Sequence, residues 1–321
     1  MTAPRLPLSL LLALSLLAAG TAATPAADTA RSGHSDTRVL RSGDRSLRIE
    51  VLGPVDGARR DELQRWLEEA ADAALAAYGR FPLPEATVRV EQSPSKARSP
   101  VPWGQTLRRE GVAVLLYVRE DASLDELRAD WTAVHELSHL FHPYLGNDGR
   151  WLSEGLASYY QNVLRARIGL LDEDEAWRLL DAGFGRGRNE DSGLPLSELG
   201  RRHRGTMRVY WAGAAYWLEA DLALRREGSS LDTVLAQYAS CCLRGTGEVA
   251  PERFAAQLDA MAGNDVFMRL FRRYADSTAF PSLDSAYAAL GIEPGADGVR
   301  FSARPEAVRL RHAVMGRRKP R

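Results

Sequence analysis

The chain has 321 residues, 45% of them hydrophobic and 26% charged, which supplies ample core and excludes a disordered or fibrous chain. Its 42 basic and 42 acidic side chains cancel, so bulk charge excludes a protein built to hold nucleic acid. Arginine supplies nearly all the positive charge, Lys96 and Lys319 being the only lysines, and reads as codon bias on solvated faces. Residues 1–27 come first. Arg5, an apolar run from Leu6 to Ala19 and the small residues Thr21 to Ala23 follow the pattern of a secretory signal peptide, with a buried amino-terminal helix as the alternative. The run is too short for a membrane span, and no later stretch approaches eighteen uninterrupted apolar residues, so the expectation is an exported protein with no transmembrane segment.

Residues 36–120 read as an amino-terminal α/β lobe. Thr37 to Glu50 alternates apolar and polar residues between Gly43 and Gly53-Pro54, as a short hairpin or edge strands would. Leu63, Trp66, Leu67, Ala70, Ala74, Leu75 and Tyr78 form one stripe of a helix over Arg59 to Tyr78, stopped by Gly79. Thr87 to Glu91 and Val112 to Val118 read as strands, joined by a Pro, Ser and Gly loop from Ser93 to Gly104.

Residues 121–292 read as a helical lobe, and its first part carries the chemistry. Val134 to Tyr160 reads V-H-E-L-S-H-L-F-H-P-Y-L-G-N-D-G-R-W-L-S-E-G-L-A-S-Y-Y. His135 and His139 are four apart, so on a helix both imidazoles face one way, close enough to share a metal ion, with Glu136 free to act as a base beside it. Such a string arises by chance in on the order of one chain in a hundred, so its context decides. It lies in an apolar-periodic stretch (Leu124, Leu127, Trp131, Val134, Leu137, Leu140, Phe141), and a second helix beginning near Trp151 offers Glu154 as a third ligand. Pro143, Gly146 and Gly149 let the chain turn back between the two helices. His142 lies some 10 Å along the axis from His135 by helix rise, which suits a supporting role better than ligation.

Beyond this point the pattern is almost wholly helical. Glu173 to Ala182, Leu194 to Leu199, Met207 to Arg226, Leu231 to Tyr238, Pro251 to Met261, Asp265 to Tyr274 and Leu283 to Leu290 read as helices, and Gly183 to Gly193 as a loop. Cys241 and Cys242 are adjacent and the only cysteines. They form a free pair, a strained vicinal bridge or an intermolecular link, and no C-x-x-C metal spacing exists. Residues 293–321 read as a carboxy-terminal tail, frayed and basic at R-H-A-V-M-G-R-R-K-P-R.

W-L-S-E-G-L-A-S-Y-Y after H-E-L-S-H resembles the gluzincin metallopeptidases, whose third zinc ligand is the Glu of such a helix. Y-W-A-G-A-A-Y-W-L-E-A-D-L-A-L-R from Tyr210, M-A-G-N-D-V-F-M-R-L-F-R-R-Y from Met261 and A-L-G-I from Ala289 look most like the glycyl aminopeptidase family. The resemblance covers about Val88 to Ile292. It implies an α+β, thermolysin-like zincin with a small amino-terminal sheet and helix lobe, a mostly helical carboxy-terminal lobe and an active site in the cleft between them. It implies one Zn2+ per chain held by His135, His139 and Glu154, with Glu136 as general base in hydrolysis of a peptide or protein substrate. It also implies that Tyr210 donates to the oxyanion, with a core tyrosine or a donor role for His203 as alternatives. The sheet edge would pair with an extended substrate.

One departure from the resembling aminopeptidases concerns recognition of a free amino group. No G-x-M-E-N or G-L-E-H string precedes His135, and Glu110 is the candidate carboxylate at that distance. Cleavage from the amino terminus and cleavage within a chain therefore both stay open. Two other classes also stand: a catalytically silent zinc-containing binding protein of the cell envelope, and a metal-free structural protein.

Overall fold

The computed structural model describes residues 37–108, 111–190, 192–295 and 298–318. The expected signal segment, Glu110 and the last three residues of the basic tail lie outside them.

A five-stranded sheet comes first. Strands β1 (Thr37–Ser42) and β2 (Arg45–Leu52) form the expected hairpin, helix α1 (Gly57–Tyr78) crosses over, and β3 (Glu85–Ser93), β4 (Trp103–Leu107) and β5 (Ala113–Arg119) follow. The order is β1-β2-β3-β5-β4, with β2, β3 and β5 parallel and antiparallel strands at both edges. Alternate residues of the parallel strands (Ile49, Val88, Val90, Val114, Val118) are buried, as period-two patterning requires. Against them lies the α1 stripe of Leu63, Trp66, Leu67, Ala70 and Ala74. Asp56 caps the start of α1 by accepting from the Arg59 N–H at 3.0 Å, and Gly79 ends it in the left-handed conformation.

Strand β4 is absent from the sequence reading, which assigns Ser93 to Gly104 to a loop. W-G-Q-T-L is short, and its Gly104 serves packing rather than propensity: a Cβ there would lie 2.8 Å from both Glu136 Cγ and Thr132 Cγ2. The expected metal helix is likewise divided. Helix α2 (Leu124–Ala129), held by a Ser123/Glu126 capping box, stops at Asp130, and Asp130 then accepts from the Thr132 N–H at 2.7 Å to start α3 (Thr132–Ser138). A 3₁₀ turn, His139–Phe141, follows, and His142 leaves it in an extended conformation.

Helices α4 (Arg150–Ile168), α5 (Glu173–Asn189), α6 (Leu196–Arg201) and α7 (Thr206–Arg226) form the heart of the helical part. Around them stand α8 (Leu231–Cys241), α9 (Pro251–Ala262), α10 (Val266–Ala275) and α11 (Asp284–Leu290). Helix α5 runs through the stretch read as a Gly, Arg and Asn loop. Its glycines make room for a neighbour: Cβ atoms at Gly183 and Gly187 would lie 2.2 Å and 2.9 Å from Trp211 side-chain atoms, and Arg186 stacks on the same indole. Composition alone misleads here because tight helix packing and loops both favour glycine.

The carboxy-terminal stretch also differs from expectation. After the β6 (Ile292–Gly295) and β7 (Gly298–Phe301) hairpin, α12 (Pro305–Met315) packs onto α4. Val314 and Met315 are fully buried, the Val314 carbonyl accepts from Arg167 Nε at 2.8 Å, and Arg318 reaches Asp232 at 3.0 Å. The basic stretch expected to fray thus holds two residues, Val314 and Met315, whose apolar side chains close the helical core. Among the described residues no helix is long and apolar enough to cross a membrane.

Candidate metal centre

Helix α3 is buried along its whole length, so its polar side chains need partners. His135 Nδ1 lies 2.8 Å from Gln161 Oε1 of α4, which makes Nδ1 the donor and leaves the Nε2 lone pair free. His139 is fixed by a relay. His142 Nδ1 donates to the Pro143 carbonyl at 2.6 Å, and His142 Nε2, left as an acceptor, lies 3.0 Å from His139 Nδ1. His139 therefore carries its proton on Nδ1 and also presents Nε2. Burial pushes the His139 imidazole down to about 3 and His142 well below its ordinary range, so both rings are neutral. Arg108 braces the turn from the other side, Nη2 donating to the carbonyls of His139 and, at 2.6 Å, of His142.

Helix α4 brings Glu154 onto the two free lone pairs. Its Oε2 lies 3.4 Å from His135 Nε2 and 3.7 Å from His139 Nε2, and this buried oxygen has no hydrogen-bond partner. Burial works to raise the Glu154 carboxyl, but His135, His139 and Tyr210 outweigh it and pull it down to about 2. Tetrahedral zinc with N and O ligands at about 2.0–2.2 Å separates those ligands by roughly 3.3–3.5 Å. Two imidazoles and one unpartnered carboxylate oxygen at these distances fit such an ion. His135, Glu136 and His139 also place donor atoms within 4.8 Å of one another. The Glu136 carboxylate, though, is bonded elsewhere, accepting from Thr106 Oγ1 of β4 at 3.0 Å, while its backbone carbonyl accepts from the same hydroxyl at 2.9 Å.

Tyr210 lies one turn into α7. Its ring is parallel to His135 at 5.9 Å and its phenol lies within electrostatic reach of the Glu154 carboxylate. Burial first, then the Glu154 charge, raises the phenol above its ordinary value, so it stands as a proton donor. Two glycines set this placement. Gly155 and Gly213 face each other where α4 meets α7, so Glu154 and Tyr210 flank a backbone-to-backbone crossing.

A cavity of about 450 Å³ opens onto the centre, with Gly104, Thr106, Glu136, His139, Glu154 and Tyr210 on its walls. His203 lies at its rim, exposed and at φ 51°. A larger concavity of about 680 Å³ between α1 and α8 holds none of the candidate residues. Cys241 and Cys242 are bonded to each other at the end of α8 and supply no donor, which selects the vicinal bridge among the three arrangements read in the sequence.

The sequence reading missed Thr106, Arg108 and Gln161. Gln161 was accessible in principle, since it follows Glu154 by seven on one face of α4. Thr106 and Arg108 carry no local signal, because their roles depend on how β4 lies against α3.

No family model matches the chain, and no curated protein matches it. An aminopeptidase N family protein from Idiomarina loihiensis matches with TM-score 0.59 at 15% identity, over 80% of this chain and 49% of that one. An M1 zinc metallopeptidase from Deinococcus radiodurans matches with TM-score 0.46 at 18% identity, over 77% of this chain and 52% of that one. A point variant of the latter gives TM-score 0.46 at 17% identity, over 77% and 53%. The chain thus spans about half the length of these structures. At this identity the likeness is one of fold: the small sheet and helical remainder share the architecture of the aminopeptidase N family protein, and they carry a His-Glu-x-x-His metal cluster.

Proposed function

We propose that the chain is a zinc metallopeptidase of aminopeptidase-like build, hydrolysing peptide bonds in the cavity between the sheet and the helical part. The observation that carries this reading is the Glu154 oxygen, buried without a hydrogen-bond partner 3.4 Å and 3.7 Å from two imidazole nitrogens that both present lone pairs. Such a carboxylate is costly without a cation to neutralise it.

His135, His139 and Glu154 would hold the ion, which supplies Lewis acidity toward a carbonyl and acidifies water. Gln161 and His142 orient the two imidazoles through their Nδ1 atoms. Glu136, which faces the cavity beside them, takes a proton from the attacking water and passes it to the leaving amine. Thr106 holds the Glu136 carboxylate by donating to Oε2. Tyr210 donates to the carbonyl oxygen as negative charge develops there. Edge strand β4 offers its free side to an extended substrate backbone. A protein that merely stores a metal needs neither Glu136 nor Tyr210 in the cavity, and both line it. The amino-terminal signal pattern supports export as the setting of this activity.

The test is metal analysis of purified protein with mapping of cuts in a mixed peptide library, with and without chelator. One zinc per chain, cuts abolished by chelator, and their loss in a Glu136→Gln protein that keeps its zinc are expected. Undiminished activity in that variant would sink the assignment.

A further inference from the structure

Arg150 opens α4 one turn before Glu154, and its guanidinium lies over the Tyr210 ring with Cζ 5.7 Å from the centroid. It lines the same cavity as the metal centre. Its Nη1 is shielded from solvent and has no hydrogen-bond partner, and among the described residues no carboxylate pairs with it. A guanidinium nitrogen without an acceptor is unfavourable, and an acceptor in the cavity that the partly exposed Arg150 side chain turned to meet would relieve it.

Arg108, the other arginine on the cavity wall, is already committed. It donates to the carbonyls of Gly245, His139 and His142, so it contributes positive potential without a free fork. Among the described residues lining the cavity the only carboxylates are Glu136 and Glu154, and both belong to the metal centre. Among the described residues, a substrate ammonium group entering here meets two guanidiniums and no carboxylate outside the metal centre. A substrate carboxylate finds a planar donor whose geometry matches its own.

We propose that this site selects peptides carrying a carboxylate close to the bond to be cut, and that Arg150 is the residue that binds it. The inference rests on the peptidase reading above. The carboxylate has two sources in a peptide, an Asp or Glu side chain and the free carboxy terminus, and Arg150 recognises the chemistry they share. Arg150 acts in this scheme as a specificity residue that does not touch the reacting atoms.

The test reads binding on a protein that does not turn over. Zinc-loaded Glu136→Gln protein is titrated with fluorescent peptide pairs followed by anisotropy. One series exchanges Glu for Gln at successive positions, and the other exchanges a carboxy-terminal acid for its amide. At least one acid form binds roughly 10- to 100-fold more tightly than its neutral twin. The position that carries the difference identifies the source. Adding Arg150→Gln brings the twins to within about twofold, Arg150→Lys keeps part of the gap, and Arg150→Glu reverses it in favour of a Lys-containing peptide. Equal binding of the twins with Arg150 intact, an unchanged gap in the Arg150→Gln protein, or no binding of any peptide overturns the proposal. Zinc-loaded wild-type protein that binds the acid peptides and cuts none counts against the peptidase reading alone.

Discussion

Gly155 of α4 and Gly213 of α7 touch backbone to backbone, a Cβ on Gly213 falling 1.9 Å from the Trp151 carbonyl oxygen and one on Gly155 falling 2.3 Å from the Gly213 carbonyl carbon. No side chain gives way there, so the helices must separate. Gly213→Ala is expected to cost about 3 kcal/mol, at the upper end of ordinary overpacking, measured by urea unfolding. The same change moves Tyr210 off Glu154, so residual activity per folded molecule should fall as well. Gly185→Ala in α5 is the control, because nothing lies within 4 Å of its Cβ. It should be neutral or stabilising by up to about 1 kcal/mol.

The His139-His142-Pro143 relay predicts a loss of metal grip without a loss of ligand. His142→Ala leaves His135, His139 and Glu154 in place but frees the His139 ring to rotate and to change tautomer. Zinc affinity should fall roughly 10- to 100-fold, read by competition with a chromogenic chelator. An affinity equal to wild type would show that the relay does not orient His139.

Tyr210→Phe keeps the ring against His135 and removes the hydroxyl. Turnover should fall roughly 10²- to 10³-fold while zinc content and peptide affinity change little, the pattern of a donor that matters only as charge develops. A fall confined to KM would instead make Tyr210 a binding residue.

Asp232 joins the carboxy-terminal stretch to the helical core. Its Oδ1 accepts from Tyr160 at 2.9 Å and Arg167 at 3.0 Å, and its Oδ2 accepts from Arg318 at 3.0 Å. Burial works to raise this carboxyl, but the two guanidiniums outweigh it and hold it below its ordinary value of 3.8. A depressed carboxylate contributes stability above its unfolded pKa, and that contribution is lost as pH falls through the folded value. Acid unfolding should therefore steepen below about pH 4, and Asp232→Asn should blunt it. Asp232→Ala strands two cations and should cost about 3–5 kcal/mol at neutral pH, measured by thermal melting or urea.

The sequence disclosed the candidate cluster because helical periodicity is local: His135 and His139 face together on any helix, and Glu154 follows a turn marked by Pro143, Gly146 and Gly149. Helix limits from α6 to α11 were likewise legible to within a few residues, as for Met207 to Arg226 against α7 (Thr206–Arg226). What escaped depended on neighbours distant in sequence. Strand β4 exists because its pairing with β5 compensates for a short, glycine-containing segment. The α5 glycines look like a loop until Trp211 is set against them, and the basic tail looks solvated until Val314 and Met315 meet the core. Arg150 lies between the two histidines and Glu154 in the chain, yet nothing local marks a guanidinium as unpaired.

Among the described residues strand β4 pairs on one side only, with β5, and Gly104, Thr106 and Leu107 lie along the cavity wall. An open strand edge attracts any extended chain, including a second copy of this one caught half-folded. Gly104, Thr106 and Leu107 are only partly exposed and face a cavity of about 450 Å³, so a guest strand paired with β4 would lie along that cavity. The border that would receive a substrate under the proposed function is thus also the one most open to self-association.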